Sequence, residues 1–394
     1  MKWEYKTLDQ LGTVSRGKSK HRPRNDPKLF GGKYPFIQTA DVKNADYYIT
    51  KYSDTYNESG LAQSKLWDKG TLCITIAANI ADTGVLAFPA CFPDSIMGFV
   101  PFEGVANTRF IKYCFDRLQR DCKQISQGTA QDNLSWEKLS TIKFCIPEYK
   151  EQCCIADILS AYDDLIENNQ KQIKLLEEAA QRLYKEWFVD LRFPGHENTK
   201  IVDGVPEGWS KSTVGNICKL RKVVITPDKI ESNTPYIGLE HMPRNDICLS
   251  TWGKSEEINS NKFIYLKKDV LFGKIRPYFH KVGFALNDGI TSTDTMVMVA
   301  DQNLWGLLLV TVSSDAFVDF SYQNCKEGAK MPRADWKQME KYAIMIADQA
   351  TQKLFEQEIL VITNKISALA FQCRSLREAR DRMLPKLMGG EVEA

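Results

Sequence analysis

Two stretches of the chain place apolar residues alternately three and four positions apart, which is the pattern of coiled-coil helices. In the first stretch, one column at seven-residue steps begins at Ile155 and a second begins at Leu159. The second stretch repeats both columns 200 residues later, from Phe355 and from Ile359. Each column contains five residues, which is enough for stable helix pairing. The pattern therefore predicts two long helices of the same design.

The extents of these helices follow from the positions of proline and glycine. Neither residue type occurs between Pro147 and Pro194, so the first helix is predicted at 148–190. At 1.5 Å per residue, a helix of about 40 residues is roughly 60 Å long. The second helix is predicted at 347–388, running regularly to about Leu384, with Pro385 and Gly389-Gly390 as its termination signals.

The two helices are predicted to pack against each other, because a lone helix of this kind would expose a long apolar stripe. The linker and a folded unit separate them in sequence, which favours antiparallel packing. Asn169 lies in an apolar column, either as a buried residue that sets the register or at a solvated edge. Several glutamates of the helices are expected on solvated faces, with Glu167 and Lys171 able to pair. The predicted helix-pairing residues are Ile155, Leu159, Tyr162, Ile166, Ile173, Leu176, Leu183, Ile359, Ile362, Ile366, Leu369, Leu376 and Met383.

The same 200-residue offset extends upstream of the helices, so the chain is a duplication. Gly128 and Trp136 recur as Gly328 and Trp336, and Pro35-Phe36-Ile37 matches Pro235-Tyr236-Ile237. Short runs between Gly, Pro and Asn residues are typical of strands. We predict an α+β fold with two similar mixed α/β domains, two antiparallel helices and pseudo-twofold symmetry. The predicted segments are domain 1 at 1–147, helix 1 at 148–190, a linker at 191–205, domain 2 at 206–346, helix 2 at 347–388 and a tail at 389–394.

Such an arrangement would place the two domains at opposite ends of a rod and facing the same way. That geometry suits a DNA duplex, with contacts separated by multiples of the helical turn of about 34 Å.

Composition narrows the classes of function. The net charge is only +2, so any nucleic-acid surface must be local. The N-terminus lacks a basic stretch followed by an apolar run, and the apolar runs are too short to span a bilayer, so a cytoplasmic protein without membrane contact is expected. The 11 scattered cysteines are expected to be reduced, and four histidines without an HExxH motif predict no metal site.

Local basic clusters are the candidate DNA contacts, although an ordinary solvated surface is the alternative for each. Arginine can bind guanine and asparagine can bind adenine, while lysine and further arginine neutralise phosphates. Residues 12–19 formally match a P-loop, but Pro23 and Pro27 prevent the helix that such a loop requires. The predicted DNA-binding residues are Arg16, Lys18, Lys20, Arg22, Arg24, Asn25, Gln131, Asn133, Arg221, Lys222, Arg244, Asn245, Lys274, Arg276, Lys326, Lys330 and Arg333.

No catalytic motif is predicted. Methyltransferase motifs and glycine-rich cofactor loops are missing from the sequence, and Glu148-Tyr149-Lys150 is an isolated fragment of a nuclease motif. The leading hypothesis is a DNA-specificity module that is not an enzyme by itself. The alternatives are a stand-alone DNA nuclease and a coiled-coil adaptor that does not bind DNA.

The order of several stretches, together with the repeat and the helices, resembles the specificity subunit of Type I restriction-modification systems. The resemblance covers essentially the whole chain. The stretches that carry it are 70–76, 90–95, Pro206-Glu207-Gly208-Trp209, 269–278 and Leu384-Pro385-Lys386-Leu387-Met388.

The resemblance implies two target-recognition domains that read a bipartite, asymmetric DNA site, with the helices acting as a ruler for the gap. It implies partners: double-stranded DNA, two methyltransferase subunits that carry S-adenosylmethionine and methylate adenine, and a motor-nuclease subunit that uses ATP and Mg²⁺ for restriction. No cofactor would then be bound by this chain itself. The basic stretch 16–28 has no equal in the second copy, as an asymmetric target requires.

Overall fold

The computed structural model describes residues 3–76, 82–125, 136–256, 258–301, 303–325 and 331–392, with the backbone alone at 122–125 and at 136. Within these ranges, no helix combines the length and apolar character needed to cross a bilayer. The chain forms two compact units. Unit 1 comprises Met1–Ile166 and Ser375–Ala394, and unit 2 comprises Glu167–Arg374.

The described residues of unit 1 form three sheets built from eleven strands. Their bounds are β1 Glu4–Lys6, β2 Gly12–Arg16, β3 Phe30–Phe36, β4 Tyr48–Ile49, β5 Asp54–Tyr56, β6 Leu66–Trp67, β7 Leu72–Thr75, β8 Thr83–Leu86, β9 Ala90–Cys91, β10 Ile96–Pro101 and β11 Phe144–Ile146. A five-stranded sheet has the order β2-β10-β7-β8-β4, a four-stranded sheet has the order β5-β3-β9-β6, and β1 pairs with β11. Every residue of β7 and β8 is buried, as expected for central strands covered on both faces.

The described residues of unit 1 also form five complete helices and the first part of a sixth. They are α1 Leu8–Leu11, α2 Thr39–Lys43, α3 Glu58–Ala62, α4 Thr108–Ile125, α5 Trp136–Thr141 and the long α6 Tyr149–Tyr184. Helix α4 packs on β8 and β10 through an apolar face that includes Phe110, Ile111 and Phe115. A single 3₁₀ turn occurs at Pro27–Leu29. Helix α6 is followed by a π-helical turn at Lys185–Val189.

Unit 2 repeats this plan, with thirteen strands in the part that the structure describes. Their bounds are β12 Ile201–Val202, β13 Val205–Pro206, β14 Ser210–Thr213, β15 Cys218–Leu220, β16 Val224–Ile225, β17 Tyr236–Ile237, β18 Cys248–Leu249, β19 Lys262–Tyr265, β20 Val270–Gly273, β21 Val282–Ala285, β22 Gly289–Thr291, β23 Thr295–Ala300 and β24 Ala343–Ile346. The sheets have the orders β15-β23-β20-β21-β18, β16-β19-β22-β17, β14-β24 and β12-β13. The helices are α7 Val214–Ile217, α8 Trp305–Val312, α9 Asp315–Gln323, α10 Trp336–Met339 and α11 Gln349–Met388.

The five-stranded sheets of the two units have the same topology. In each, the edge strand β4 or β18 is parallel to β8 or β21, and the remaining neighbours are antiparallel. One difference is that unit 1 has the single helix α4 where unit 2 has α8 and α9. Ser314 caps α9 by accepting a hydrogen bond from the Phe317 amide, so the serines between α8 and α9 start a new helix. The predicted fold class, with two similar mixed domains and two long helices, is confirmed.

Within each unit, opposite ends of the two long helices share a core, as antiparallel helices require. In unit 1, Ile155 and Leu159 of α6 join Leu384 and Leu387 of α11. In unit 2, the rings of Trp187 and Phe188 at the end of the first helix lie 5.6 and 4.8 Å from that of Phe355. The thirteen predicted helix-pairing residues are all buried or half-buried.

Asn169 is buried, at 4% exposure, so the alternative of a solvated edge is wrong. Its amide nitrogen has no hydrogen-bond partner among the described residues. Glu167 and Lys171 pair at 2.7 Å as predicted.

Two glutamates of the long helices are buried and satisfied by backbone amides. Glu177 is buried because it accepts hydrogen bonds from the Ile247 and Cys248 amides, at 2.9 and 3.2 Å. Glu356 accepts from the first amides of α8, at 2.6 and 3.0 Å, where the helix dipole favours a negative charge.

The expectation that the second helix runs regularly only to about Leu384 is wrong, because the helix continues to Met388. Proline has no N–H, so it cannot donate to the carbonyl of Asp381 one turn earlier. Arg120 of α4 supplies the missing donor, with its Nη1 3.0 Å from that carbonyl oxygen. Arg117 of the same helix donates to the Met388 carbonyl at 2.7 Å and closes the helix end.

The segment predicted as a linker at 191–205 contains regular structure. A tight hairpin joins β12 and β13, and its two central residues, Asp203 and Gly204, both have positive φ, as a type I′ turn requires. Phe193 is buried in the core of unit 2 beside Trp209, with ring centroids 4.6 Å apart.

Candidate nucleic-acid interface

In unit 2, the chain that leaves β20 lies beside residues 332–334. The Arg276 amide donates to the Pro332 carbonyl at 2.8 Å, and the Ala334 amide donates to the Lys274 carbonyl at 2.8 Å. A bridge pairs Ile275 with Arg333 between these bonds. Three of the predicted DNA-binding residues, Lys274, Arg276 and Arg333, are thereby brought together from positions up to 59 residues apart in sequence.

Asp294 organises this group of cations. Its carboxylate accepts a hydrogen bond from Arg333 at 2.8 Å, and its carbonyl accepts one from the Lys274 amide at 2.8 Å. The ammonium of Lys274 donates to the Thr293 carbonyl at 2.7 Å. Lys274 and Arg333 are therefore positioned by the fold before any ligand binds.

Lys222 belongs to the same positive surface. Partial burial lowers the pKa of Lys274, and the nearby charges of Arg333 and Lys222 lower it further, while Asp294 raises it. The contributions of Arg333 and Lys222 to this shift are smaller than that of burial. An anion at this surface would reverse that effect, because an opposite charge favours the protonated amine.

Phe279 holds two further arginines. The guanidinium carbon of Arg244 lies 3.9 Å from the ring centroid, and that of Arg276 lies 5.7 Å from it. Both distances lie within the range of cation–π attraction. The positive charge extends to Lys281, whose pKa is lowered by burial and by the charge of Arg244.

The turn that carries these residues has an unusual backbone. Arg276 and His280 are both left-handed, each with φ of 51°, and flank a 3₁₀ turn at Pro277–Phe279. His280 is fixed on the far side, since its ring nitrogen Nε2 lies 2.8 Å from the Ser313 carbonyl oxygen. The Asn245 amide donates to the His280 carbonyl at 3.1 Å, so the predicted residues Arg244 and Asn245 join this surface, both of them exposed.

Arg221 is engaged in the fold of unit 2. Its guanidinium binds the Asp269 carboxylate at 2.9 and 3.3 Å. Asp269 is 7% exposed and also accepts a hydrogen bond from the Leu266 amide at 2.8 Å. Of the predicted cations in this unit, Arg221 is thus placed to stabilise a turn.

In unit 1, the predicted basic stretch leaves β2 with a strand-like alternation. Arg16, Lys18 and Lys20 are exposed, whereas Gly17 and Ser19 between them are buried. A side chain at position 17 would collide with the backbone of residues 92 and 93, at 2.3 and 2.4 Å from their carbonyl oxygens. Glycine at this position therefore lets the stretch lie close to the sheet and direct its cations outward.

The basic stretch is tied to the segment before β6. The Ser64 hydroxyl donates to the Lys18 carbonyl at 2.7 Å, and the His21 amide donates to the Gln63 side chain at 3.0 Å. The His21 ring lies 2.9 Å from Asp26, the acidic residue of the stretch. These bonds give the stretch a defined path across unit 1.

Arg22 and Arg24 meet at one carboxylate. Arg24 lies 2.7 Å from Asp94, and Arg22 lies 4.0 Å from it. Arg22 also donates to the carbonyls of Ser19 and His21 at 2.6 and 2.8 Å. Its guanidinium is thus largely used by the loop itself, whereas the neighbouring Asn25 is exposed.

The strand registers show that Arg16 and Lys222 occupy equivalent places. Val14 pairs with Phe99 in unit 1 as Leu220 pairs with Met298 in unit 2, and each cation follows two residues later. Both side chains are exposed. The duplicated scaffold therefore presents a cation at the same point in both units, while the surroundings differ.

Four predicted residues lie outside the described residues: Gln131, Asn133, Lys326 and Lys330. Where side chains are described, no group of three or more His, Cys, Asp or Glu residues could hold a metal ion. Residues 12–16 of the P-loop match form β2, and the chain after it forms no α-helix before Thr39.

Phe279 and Lys281 were not singled out in the sequence, whereas Tyr278 was noted beside Lys274 and Arg276 around Pro277. Tyr278 and Tyr322 are each 46% exposed, and their rings meet edge to face at 5.2 Å beside the arginines. The available signal was the run Arg276-Pro277-Tyr278-Phe279, which places two aromatic residues directly after an arginine.

Comparison with known proteins agrees with this architecture. Residues 1–178 match the family described as Type I restriction modification DNA specificity domain. The Type I restriction enzyme MjaIX specificity subunit of Methanocaldococcus jannaschii is 25% identical over 99% of this chain and 93% of its own length. The EcoDI specificity subunit of Escherichia coli is 20% identical over 86% of this chain and 76% of its own length.

Among solved structures, the S subunit of a Type-I restriction-modification system from M. genitalium has a TM-score of 0.55 at 17% identity. The match covers 98% of this chain and 96% of that chain, and it shows a common fold. Residues 1–178 thus match the specificity-domain family, and the chain is similar over nearly its whole length to a specificity subunit of a Type I restriction-modification system.

Proposed function

We propose that this chain reads a bipartite, asymmetric DNA site and directs partner subunits to it. The observation that carries the proposal is the pairing of a repeated scaffold with different surface chemistry. The five-stranded sheets share one strand order. Arg16 in unit 1 leads into a stretch whose arginines meet at Asp94, whereas Lys222 in unit 2 lies near Lys274 and Arg333. Two like scaffolds with unlike side chains are suited to two different half-sites.

The local charge supports a duplex as the ligand. A net charge of +2 spread evenly would attract DNA weakly, but both units concentrate exposed cations in loops at sheet ends. Lysines there would neutralise phosphates and release counterions, so binding should weaken steeply with salt. Arginine and asparagine side chains in the same loops supply the groups that recognise bases.

We further propose that the chain itself is not an enzyme, binds no cofactor and acts in the cytoplasm. On this proposal two methyltransferase subunits carry S-adenosylmethionine and modify adenine, and a motor-nuclease subunit carries out restriction with ATP and Mg²⁺. The long helices offer surface for partners, since Leu165, Leu175, Leu354 and Val361 are 48, 65, 48 and 67% exposed. Large apolar side chains exposed on helices are typical of protein interfaces.

Single-molecule methylation mapping in cells that express the intact complex tests the proposal. The expected result is one motif made of two short, different sequences at a fixed spacing. A single contiguous motif, or no motif that depends on this chain, would contradict it.

Two biochemical assays address the alternatives. Cleavage of DNA by the purified chain with Mg²⁺ alone would favour a stand-alone nuclease. Absence of a gel shift by the chain together with its methyltransferase subunits would favour an adaptor that does not bind DNA.

A further inference from the structure

Arg244 and Arg276 differ from the other arginines of the unit 2 surface in what holds them. Arg221 and Arg333 each pair with an aspartate at hydrogen-bonding distance. Arg244 and Arg276 instead lie near the ring of Phe279, and no described residue of unit 2 forms a carboxylate ion pair with either. Their hydrogen-bonding edges are therefore available for a ligand.

The left-handed backbone conformation of Arg276 indicates a functional role for this position. A left-handed φ is unfavourable for a residue with a long side chain, and such strain clusters at ligand-binding sites. The Arg276 amide is fixed by its bond to the Pro332 carbonyl, and the turn is closed by the bond from the Phe279 amide to the Arg276 carbonyl. The surrounding fold therefore holds Arg276 in a conformation that it would rarely adopt by itself.

The ring of Phe279 restricts both guanidinium groups. Arginine loses rotational freedom when it binds, which lowers affinity, and a guanidinium already held against an aromatic ring loses less. The cation–π contact still leaves the N–H edge of the plane free. Planar, pre-positioned N–H groups are the arrangement that binds two acceptors at once.

The neighbouring surface fits a DNA groove. Lys274 and Arg333 lie beside the turn, and Lys222 acts electrostatically on Lys274, which suits contacts to phosphates. Tyr278 and Tyr322 add two half-exposed rings that can contact sugars and base edges.

We infer that Arg244 and Arg276, held by Phe279, read guanine in the half-site that unit 2 recognises. Guanine presents O6 and N7 side by side in the major groove, and a guanidinium donates to both. The inference rests on the proposed function and adds a base and two residues to it. Lys222, Lys274 and Arg333 would then contribute affinity without base preference.

Methylation mapping of cells that express the intact complex with its methyltransferase subunits provides the test. The variants are Arg276→Gly and Arg244→Ala, with Arg192→Ala as the matched control. Glycine is chosen at 276 because it adopts the left-handed conformation without strain, so the turn is preserved. Arg192 is an exposed arginine of unit 2 that pairs with Glu186 and lies outside the proposed interface.

The wild-type motif should contain a G·C pair in one half-site. Arg276→Gly and Arg244→Ala should each relax the base preference at such a pair, by about 10- to 100-fold, and leave the other half-site and the spacing intact. Arg192→Ala should give the wild-type motif. Arg276→Lys keeps the charge but lacks the two parallel N–H donors of the guanidinium, so it should also relax the base preference.

Three results would overturn the inference while the proposed function stands. One is an unchanged motif in both variants. Another is a wild-type motif in which neither half-site contains a G·C pair. The third is a loss of methylation at all sites, without a change of base preference, by a variant whose melting temperature equals that of the wild type. If the wild-type chain itself specified no bipartite motif, the proposed function would fail instead.

Discussion

Asp163 of the first long helix and Arg380 of the second form an ion pair inside unit 1, where Asp163 is only 3% exposed. The Tyr113 hydroxyl donates a second hydrogen bond to the same carboxylate, at 2.5 Å. The positions that correspond by the 200-residue repeat are Thr363 and Ala180, both buried in unit 2. The duplicated helices thus solve one packing problem in two ways, with charges in one unit and small side chains in the other.

Replacing Asp163 by Asn should destabilise unit 1 by roughly 3 kcal/mol, because an arginine would be left without its buried partner. The lower end of the usual range applies, since Arg380 also contacts Asp381 at 3.0 Å. Asp163→Thr combined with Arg380→Ala installs the pair that unit 2 uses, and should recover most of the loss. Urea denaturation measures the stability of each variant. A double variant whose loss of stability equals the sum of the losses of Asp163→Thr and Arg380→Ala alone would refute this account.

The stability of unit 2 should depend on pH through Glu177. Burial raises its pKa to about 7, with Asp246 adding to the shift and the amides of Ile247 and Cys248 opposing it. The folded-state pKa exceeds the unfolded value, so this contribution is full below pH of about 4.5 and is lost as the pH rises through 7. The loss should amount to roughly 3 kcal/mol at most.

Glu177→Gln keeps the oxygen that accepts both amides but cannot ionise. It should flatten the decrease in stability between pH 4.5 and 7.5, measured by thermal unfolding at several pH values. Glu178→Gln, on the exposed face of the same helix, is the control and should retain the wild-type slope. Equal slopes for wild type and Glu177→Gln would contradict the assignment.

The end of the second long helix should depend on Arg120. Arg120→Ala leaves the Asp381 carbonyl without a donor, at a cost of about 1–3 kcal/mol to unit 1. Pro385→Ala restores an amide that can donate to the same carbonyl, so Arg120→Ala should cost less in that background. A double-mutant cycle by denaturation gives the coupling, and additive effects would show that Arg120 and Pro385 act independently.

The proposed ruler can be lengthened at the boundary of the units. Seven residues inserted between Ile166 and Glu167, and seven between Arg374 and Ser375, leave the interior of each unit unchanged. Seven residues keep the heptad phase and add about 10 Å at the helical rise per residue. Methylation mapping should show the same two half-sites with a gap about three base pairs longer, given roughly 3.4 Å per base pair. An unchanged gap would mean that the helices only connect the units.

The long helices were predictable because their signal is local. Ile155 and Phe355 begin columns that repeat every seven residues, and the columns alone predict which faces are buried. Exceptions arise where a distant residue changes the outcome. Pro385 stays inside its helix because Arg120, more than 260 positions away, replaces the missing amide.

The candidate interface was predictable in composition but not in arrangement. The sequence indicates which loops are basic, yet Arg221 and Arg276 look alike in it. The structure distinguishes them. Arg221 forms an ion pair with Asp269, whereas the guanidinium of Arg276 lies 5.7 Å from the ring centroid of Phe279. Such pairings depend on tertiary contacts between loops, which periodicity and spacing do not report.

Unit 1 is assembled from two distant pieces of chain, since Leu384 and Leu387 lie in the same core as Ile155. Because synthesis proceeds from the N-terminus, residues 1–166 are made before unit 2, but their core lacks the contacts of Leu384 and Leu387 until those residues have been added. Unit 2 is one continuous segment of the chain. The core of unit 1 therefore becomes complete only after the whole of unit 2 has been synthesised.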